Sequence, residues 1–207
     1  MTILLTGFEP FSTWKKNPSY DVAVAFKGKN FGNHKIVCEK LPVDYKRLPL
    51  VIDNLFLEHS PDIIIMMGIA AGSPKMRLEK VAINEVTAKV HYNSGEKPID
   101  EPIINNGQNA FFSKLPVNDL SKNLIDHGIP AEISYSAGTF ACNQAFYYLM
   151  HKINSNTKRN NVLGGFVHLP LTPDMAAKVI DKKYPSMNFD QMVLAVKIII
   201  EFLVSIK

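Results

Sequence analysis

Cysteine is scarce in this chain of 207 residues. Only Cys38 and Cys142 occur, in unrelated local patterns and without Cys-x-x-Cys or metal-ligand spacing. That excludes a disulfide-stapled secreted scaffold and a cysteine-held metal, fits a reducing cytoplasm, and leaves no cofactor or metal to expect. Long hydrophobic runs are also missing. Ile3-Leu4-Leu5 has no basic region before it and meets Gly7 too early for a signal-peptide core. The apolar stretch 192–206 is interrupted by Lys197 and Glu201, spaced as a helical i,i+4 charge pair, so it falls short of the roughly 20 apolar residues of a membrane span. Nor is charge of one sign concentrated anywhere. Lys and Arg number 23 against 19 Asp and Glu, a net +4 scattered along the chain, which argues against nucleic acid as a partner.

What is present is the composition of an ordinary folded domain. Hydrophobic residues make up 46% and charged residues 20%, so the chain has enough apolar surface to fold alone. Its length suits one α/β unit, and residues 1–207 are read as a single domain.

The chain is organised around Ser136-Ala137-Gly138-Thr139-Phe140-Ala141-Cys142-Asn143-Gln144. A β-type run, 131–135, leads in and a helix-type run, 144–153, leads out, which puts Cys142 at a strand-to-helix turn. Unpaired amides and the positive end of a helix dipole stabilise a thiolate there, lowering such pKa values from about 8.5 to roughly 3.5–7.5. Gly138 lets the backbone bend, and Ala141 and Asn143 offer amides nearby. The competing account is a small buried hydrophobe closing a βα turn.

Around this centre the pattern alternates strand and helix. Residues 2–6 read as a buried strand ended by Gly7, opening into a loop with Phe8, Phe11 and Trp14 that is either a core lid or an apolar ligand slot. Asn17-Pro18 starts a helix to about Phe26. Residues 34–41 form a strand in which Cys38 is a core residue. Residues 45–59 form a helix with Leu50, Ile52, Leu55 and Phe56 as its apolar face. Residues 63–67 are a strand buried on both faces. The glycine-containing loop 68–74 leads into a strand pattern, not a helix, which speaks against a dinucleotide fingerprint.

In Leu78-Glu79-Lys80-Val81-Ala82-Ile83-Asn84, one strand would place Glu79, Val81 and Ile83 on one face. A carboxylate there is at a strand end, buried with a partner, or in a surface salt bridge. Residues 91–108 are a long loop or protruding hairpin, 116–127 a helix closed by Gly128, and 129–135 a strand. Residues 154–161 are a polar connection and 162–168 a buried strand ending at His168, whose side chain can reach a cleft. His168 is therefore the best general base. Asn188 through Gln191 have the outline of a reciprocal cap for the final helix, whose apolar surface exceeds one stripe.

Four segments in order then resemble the pyroglutamyl peptidases, cysteine peptidases that remove an N-terminal 5-oxoproline. They are Thr6-Gly7-Phe8-Glu9-Pro10-Phe11, Leu78 through Asn84, Ser136 through Asn143, and Gly165-Phe166-Val167-His168-Leu169-Pro170. The resemblance implies a three-layer α/β/α sandwich with a mixed, mostly parallel sheet, and a catalytic triad of Cys142, His168 and Glu79. It further implies that Phe8 and Phe11 flank the lactam ring, that Phe140 helps close the pocket and that the Ile69 backbone bonds the lactam. The expected partners are peptides with an N-terminal pyroglutamate, acted on by a homo-oligomer, a dimer or tetramer.

Some positions depart from the family. Ser12-Thr13 stand where a Gly pair is usual, Ser73 and Lys89 replace arginines, and Val90-His91-Tyr92-Asn93 replaces Ile-Pro-Asp-Asn. Lys89 is accordingly an oxyanion candidate of altered geometry. The alternatives are a non-catalytic 5-oxoproline-binding relative and a nucleoside-processing enzyme on a similar sandwich. The second lacks a convincing basic or acidic cluster.

Overall fold

A computed structural model of the chain describes residues 1–29, 31–155, 161–180 and 182–207. In chain order the elements are β1 (Thr2–Phe8), α1 (Pro18–Val24), β2 (Lys35–Leu41), α2 (Arg47–His59), β3 (Ile63–Ile69), β4 (Met76–Glu79) and β5 (Val81–Ile83). There follow β6 (Ala110–Phe112), α3 (Val117–Asp126), β7 (Ala131–Ser134), α4 (Ala141–Asn154), β8 (Leu163–Leu169), α5 (Pro173–Ala176) and α6 (Phe189–Ser205). Six strands form one sheet in the order β2-β1-β3-β8-β4-β7. β2, β1, β3 and β8 run parallel, β4 lies antiparallel to β8, and β7 is parallel to β4. β5 and β6 make a separate antiparallel pair.

Strand alternation splits the core in two and fixes the layers. Ile3, Leu5, Ile63, Ile65, Met67, Val167 and Leu169 face α1, α3 and α6. Leu4, Phe8, Ile64, Met66 and Phe166 face α2 and α4. β3 is buried along its whole length because helices cover both its faces. Burying each such aliphatic side chain contributes roughly 1.5–3 kcal/mol. Among the described residues no helix is long and apolar enough to cross a membrane.

Local chemistry sets the element ends. The Asn17 side chain accepts the Ser19 N–H with Pro18 at the first helical position, which starts α1 as the sequence suggests. Cys38 is half-buried in β2 and its thiol donates to the Ala23 carbonyl at 3.0 Å. Burial, then the Glu39 charge, pushes that thiol up to about 11. On α6, Lys197 and Glu201 pair at 3.6 Å.

Several expectations need correction. Gly7 does not end β1, which continues through Phe8. A Cβ at residue 7 would meet the Ser19 backbone at 2.2 Å, so this glycine admits the start of α1 against the strand. On α2 the inward face is Leu48, Ile52, Leu55 and Phe56, whereas Leu50 is 61% exposed, because Leu48, four before Ile52, shares its face and Leu50, two before it, lies on the opposite side. Residues 78–84 are not one strand. The chain turns at Lys80, whose N–H donates to the Ser134 carbonyl, and Ala82 rather than Val81 or Ile83 is the buried residue of β5. The segment 91–108 is the long loop expected and not a protruding hairpin, but it is tied down: Tyr92 is fully buried, and Ile103 and Ile104 pack on the core. Asn188 occupies the cap position of α6 but makes no side-chain cap bond. Of the polar connection 154–161, residues 156–160 lie outside the described residues.

Candidate active site

The same alternation that builds the core carries polar side chains to one place. On β8, Phe166 and His168 share the face toward α4, and in register beside them stand Gly68 of β3 and Arg77 of β4. Glu79, two residues beyond Arg77, lies on that face at the end of β4. It is fully buried, and its Oε1 accepts the His168 Nδ1–H at 2.8 Å. The carboxylate thus has the buried partner that its position demands. It sits at a strand end too, although the shared face with Val81 and Ile83 does not exist.

Cys142 is in the first turn of α4, two residues after Phe140 in the cap position. Phe140 supplies no side-chain cap, so the first-turn amides of Ala141, Cys142 and Asn143 have no partner within the helix. Their N–H groups and the helix dipole favour negative charge at this spot. Gly138, at φ +79°, makes the bend expected of it. Thr139 is held by two bonds to Thr87, accepting its N–H at 2.9 Å and donating its hydroxyl to its carbonyl at 2.8 Å.

Cys142 Sγ lies against Gly68, the β3 residue in register with His168, which puts the thiol close enough to act on the imidazole. Burial alone would push that imidazole down. The Cys142 charge and hydrogen bond, with the bond and charge of Glu79, outweigh burial and hold it up at about 9. At neutral pH the imidazole is therefore held protonated.

Aromatic rings gather in the same core cluster as Cys142. Phe11 and Phe140 lie 5.8 Å apart between ring centroids, and Tyr92 packs on Phe140 at 4.4 Å. Phe8 stands deeper, 2% exposed and against Phe166, which in turn contacts His168 at 4.8 Å. Ile69 packs with Leu171 and Met175, and Phe11 also borders that cluster. Lys89 is exposed and forms no hydrogen bond or ion pair among the described residues. No group of three or more His, Cys, Asp or Glu among the described residues could hold a metal ion. A groove of about 920 Å³, bordered by Phe26, Leu194 and Lys197, lies on the α1 and α6 side, away from Cys142.

Four neighbours of the site have roles not read from the sequence, where Asn143 was noted for its backbone amide alone. Gly68 is one: a Cβ there would come 2.7 Å from Cys142 Sγ, so its backbone forms the wall against the thiol. Only knowledge of what faces it across the layers reveals this. Tyr92 is another, its hydroxyl donating to Gln144 Oε1 at 3.0 Å. Burial, and then the Cys142 charge, push its phenol well above the usual range. The departure of residues 90–93 from the family pattern was the available signal. Asn143, fully buried, accepts the Ile83 N–H and donates to the carbonyls of Ile83 and Glu85, clamping β5 to α4. Gln144 donates to the Tyr45 carbonyl at 2.8 Å. Among the departures, Ser12 adopts φ +54°, a conformation natural to the glycine it replaces. Ser73 closes its loop locally through a bond to the Lys75 carbonyl at 2.9 Å.

Known proteins carry the same architecture. The sequence pattern that defines the pyroglutamyl peptidases matches residues 1–205. The pyrrolidone-carboxylate peptidase of Bacillus mycoides (strain KBAB4) is 38% identical over 200 residues, covering 97% of this chain and 91% of that protein. That of Thermosipho melanesiensis is 41% identical over 193 residues, 93% of each chain. Pyroglutamyl peptidase I of Bacillus amyloliquefaciens superposes with a TM-score of 0.90 at 36% identity, over 97% of this chain and 95% of its own. The pyrrolidone carboxyl peptidase of Pyrococcus furiosus superposes at 0.95 and 34% identity over 99% of each chain.

Proposed function

The chain belongs to the pyroglutamyl peptidase family, and on that premise we propose that it is a cysteine omega-peptidase in which Cys142, His168 and Glu79 hydrolyse the amide bond after an N-terminal 5-oxoproline. The observation that carries this reading is the 2.8 Å bond from a buried His168 to a buried Glu79, with Cys142 Sγ against Gly68, the register partner of that histidine. The Cys142 thiolate attacks the scissile carbonyl and forms a C–S bond. The tetrahedral oxyanion is received by first-turn amides of α4, chiefly that of Cys142, where loss of one such donor typically costs about 10²–10³ in rate. Collapse expels the amine, which takes a proton from the imidazolium Nε2. Water then attacks the thioester, giving its proton to the now neutral Nε2 and releasing 5-oxoproline and the thiolate. Glu79 keeps Nδ1 protonated throughout, so that Nε2 faces the reaction.

The ring pocket lies between Phe11 and Phe140, with Phe8 behind it and the Ile69 backbone for the lactam amide. Such walls accept a flat neutral ring. A charged terminal ammonium would enter without a partner and suffer the desolvation of a buried charge, which selects the blocked terminus. Lys89 adds positive charge from the rim, secondary to the amides. The chain acts as one domain, residues 1–207, in a reducing cytoplasm, which its cysteine usage favours. It works as a homo-oligomer, a dimer or tetramer, for which Phe189 and Leu194, exposed on α6, supply apolar contact surface.

Release of a fluorogenic amine from a pyroglutamyl amide tests this reading. Cys142→Ser is expected to lose at least about 10³ in kcat while keeping its fold, and Cys38→Ser to keep wild-type activity. One equivalent of iodoacetamide should label Cys142 by mass spectrometry. An active Cys142→Ser protein, or first labelling at Cys38, would overturn the assignment. Binding of 5-oxoproline without turnover would make the chain a non-catalytic relative.

A further inference from the structure

We propose that Arg77 is a positioning residue that locks Glu79 to the turn carrying Cys142, an inference that rests on the peptidase reading above. Register places Arg77 beside His168 across β4 and β8, and beside Glu132 across β4 and β7. Glu79, on the same face of β4, pairs with Ser134. The outcome is a line of alternating charge across three strands. Lys75 Nζ lies 3.6 Å from Glu132 Oε2, Glu132 Oε1 lies 3.8 Å from Arg77 Nε, and Arg77 Nε lies 3.7 Å from Glu79 Oε1. That last oxygen is the one receiving the His168 Nδ1–H.

The far end of the guanidinium does something different. Arg77 Nη2 donates to Ser134 Oγ at 2.5 Å and to the Ser136 carbonyl at 3.3 Å. Ser136 begins the turn that ends at Cys142, and the Gly138 N–H donates back to Ser136 Oγ at 3.3 Å. One planar group therefore faces the carboxylate that orients the base, as an ion pair without a hydrogen bond, and bonds the backbone that delivers the nucleophile.

Glu79 needs such a brace. Its Oε2 is buried without a hydrogen-bond partner among the described residues, so Oε1 alone ties it to the imidazole. A carboxylate held by one oxygen can tilt, and a tilt moves His168 against Cys142. Arg77 opposes this by attraction to the same oxygen from a rigid fork whose other nitrogen is fixed. A lysine would carry the charge but could not hold both contacts at once.

Steady-state kinetics with a pyroglutamyl aminocoumarin decide it. Arg77→Ala is expected to lower kcat by on the order of ten- to a hundredfold with KM within about twofold, because misplacement acts on the reacting geometry and not on ring binding. Arg77→Lys should recover only part of the loss. Arg77 is partly open to solvent, so millimolar methylguanidine should raise the kcat of folded Arg77→Ala in a saturable way, which a merely structural defect would not permit. Ser134→Ala, which keeps the charge and removes the 2.5 Å bond, should show a smaller loss confined to kcat. Wild-type kcat in Arg77→Ala, or a folded Arg77→Ala that ignores methylguanidine, overturns the proposal. Should Arg77→Ala fail to fold, unchanged kcat in Ser134→Ala overturns it. A wild-type chain that releases no coumarin instead strikes the peptidase reading, and the role of Arg77 falls with it.

Discussion

At the residue scale, the proposed chemistry is divided between a group that moves protons and one that holds it in place, and their removal should differ accordingly. His168→Ala is expected to lose about 10³ or more in kcat, while Glu79→Gln folds and loses roughly 10²–10⁴, since the amide can orient the ring but favours the wrong tautomer. Stopped assays on both proteins, with circular dichroism to confirm folding, make the comparison. Equal activity of Glu79→Gln and wild type would remove Glu79 from the site. Gly68 offers a purely steric test. An added methyl would stand 2.7 Å from Cys142 Sγ and 3.0 Å from Phe166 Cζ, so Gly68→Ala should cost about 1–3 kcal/mol of stability and displace the thiol, with kcat down on the order of 10². Wild-type kcat in that variant would mean that the thiol points elsewhere. Cys142, His168 and Glu79 were legible in the sequence because each stands beside a strand end or helix start, where side chains reach a cleft. Gly68 was not, since its meaning depends on an atom that lies 74 positions away in sequence.

At the element scale, the clearest failure of sequence reading is the run from Leu78 to Asn84. Its alternation is genuine, but β4 belongs to the main sheet and β5 to a two-stranded ribbon, so a turn at Lys80 resets which residues face inward. Period alone cannot register such a change of sheet. The segment 91–108 is the long loop expected, but its packing was not legible. Its Asn, Gly and Pro suggested freedom, yet Tyr92 anchors it between Tyr45 and Phe140, and Asn93 donates to Glu9 Oε1 and the Pro10 carbonyl at 2.8 and 2.9 Å. The segment thus braces both the ring pocket and the loop bearing Phe11. Tyr92→Ala is expected to raise KM about tenfold or more and to destabilise by about 3–5 kcal/mol, whereas Tyr92→Phe should cost about 1–2 kcal/mol with KM nearly kept. Urea titration and Michaelis kinetics on the two variants separate ring from hydroxyl. An unchanged KM in Tyr92→Ala would take this residue out of the pocket wall.

At the scale of the whole molecule, the raised pKa of His168 links stability to pH. The folded-state pKa of His168, at about 9, lies above its ordinary 6.5. Its contribution is therefore fully present below about pH 6.5 and is lost as pH rises through about 9, amounting to about 3 kcal/mol at most. Urea unfolding at pH 6.5, 8 and 9.5 should show this decline, and Cys142→Ser should flatten it, since the Cys142 charge leads the causes that raise the imidazole. A slope indifferent to Cys142→Ser would leave the pair uncoupled. The layered architecture was readable from the rhythm of strands and helices, as was the place of β3 in the middle of the sheet. The position of β8 was not, because no local pattern says that a strand from the last quarter of the chain inserts between β3 and β4.

That insertion has a consequence for synthesis. β8 fills a central slot of the sheet and brings His168, so a ribosome-bound chain that has not yet emerged past residue 169 carries its nucleophile without its base, on a sheet still in two pieces. The thiol meets imidazole and carboxylate only when the gap closes, a pairing over 89 residues for His168 and Glu79 that belongs to the slow, non-local part of folding. On the proposed triad, hydrolytic capacity then arrives in one step with β8, and the order of the strands itself keeps the shorter nascent polypeptide inert.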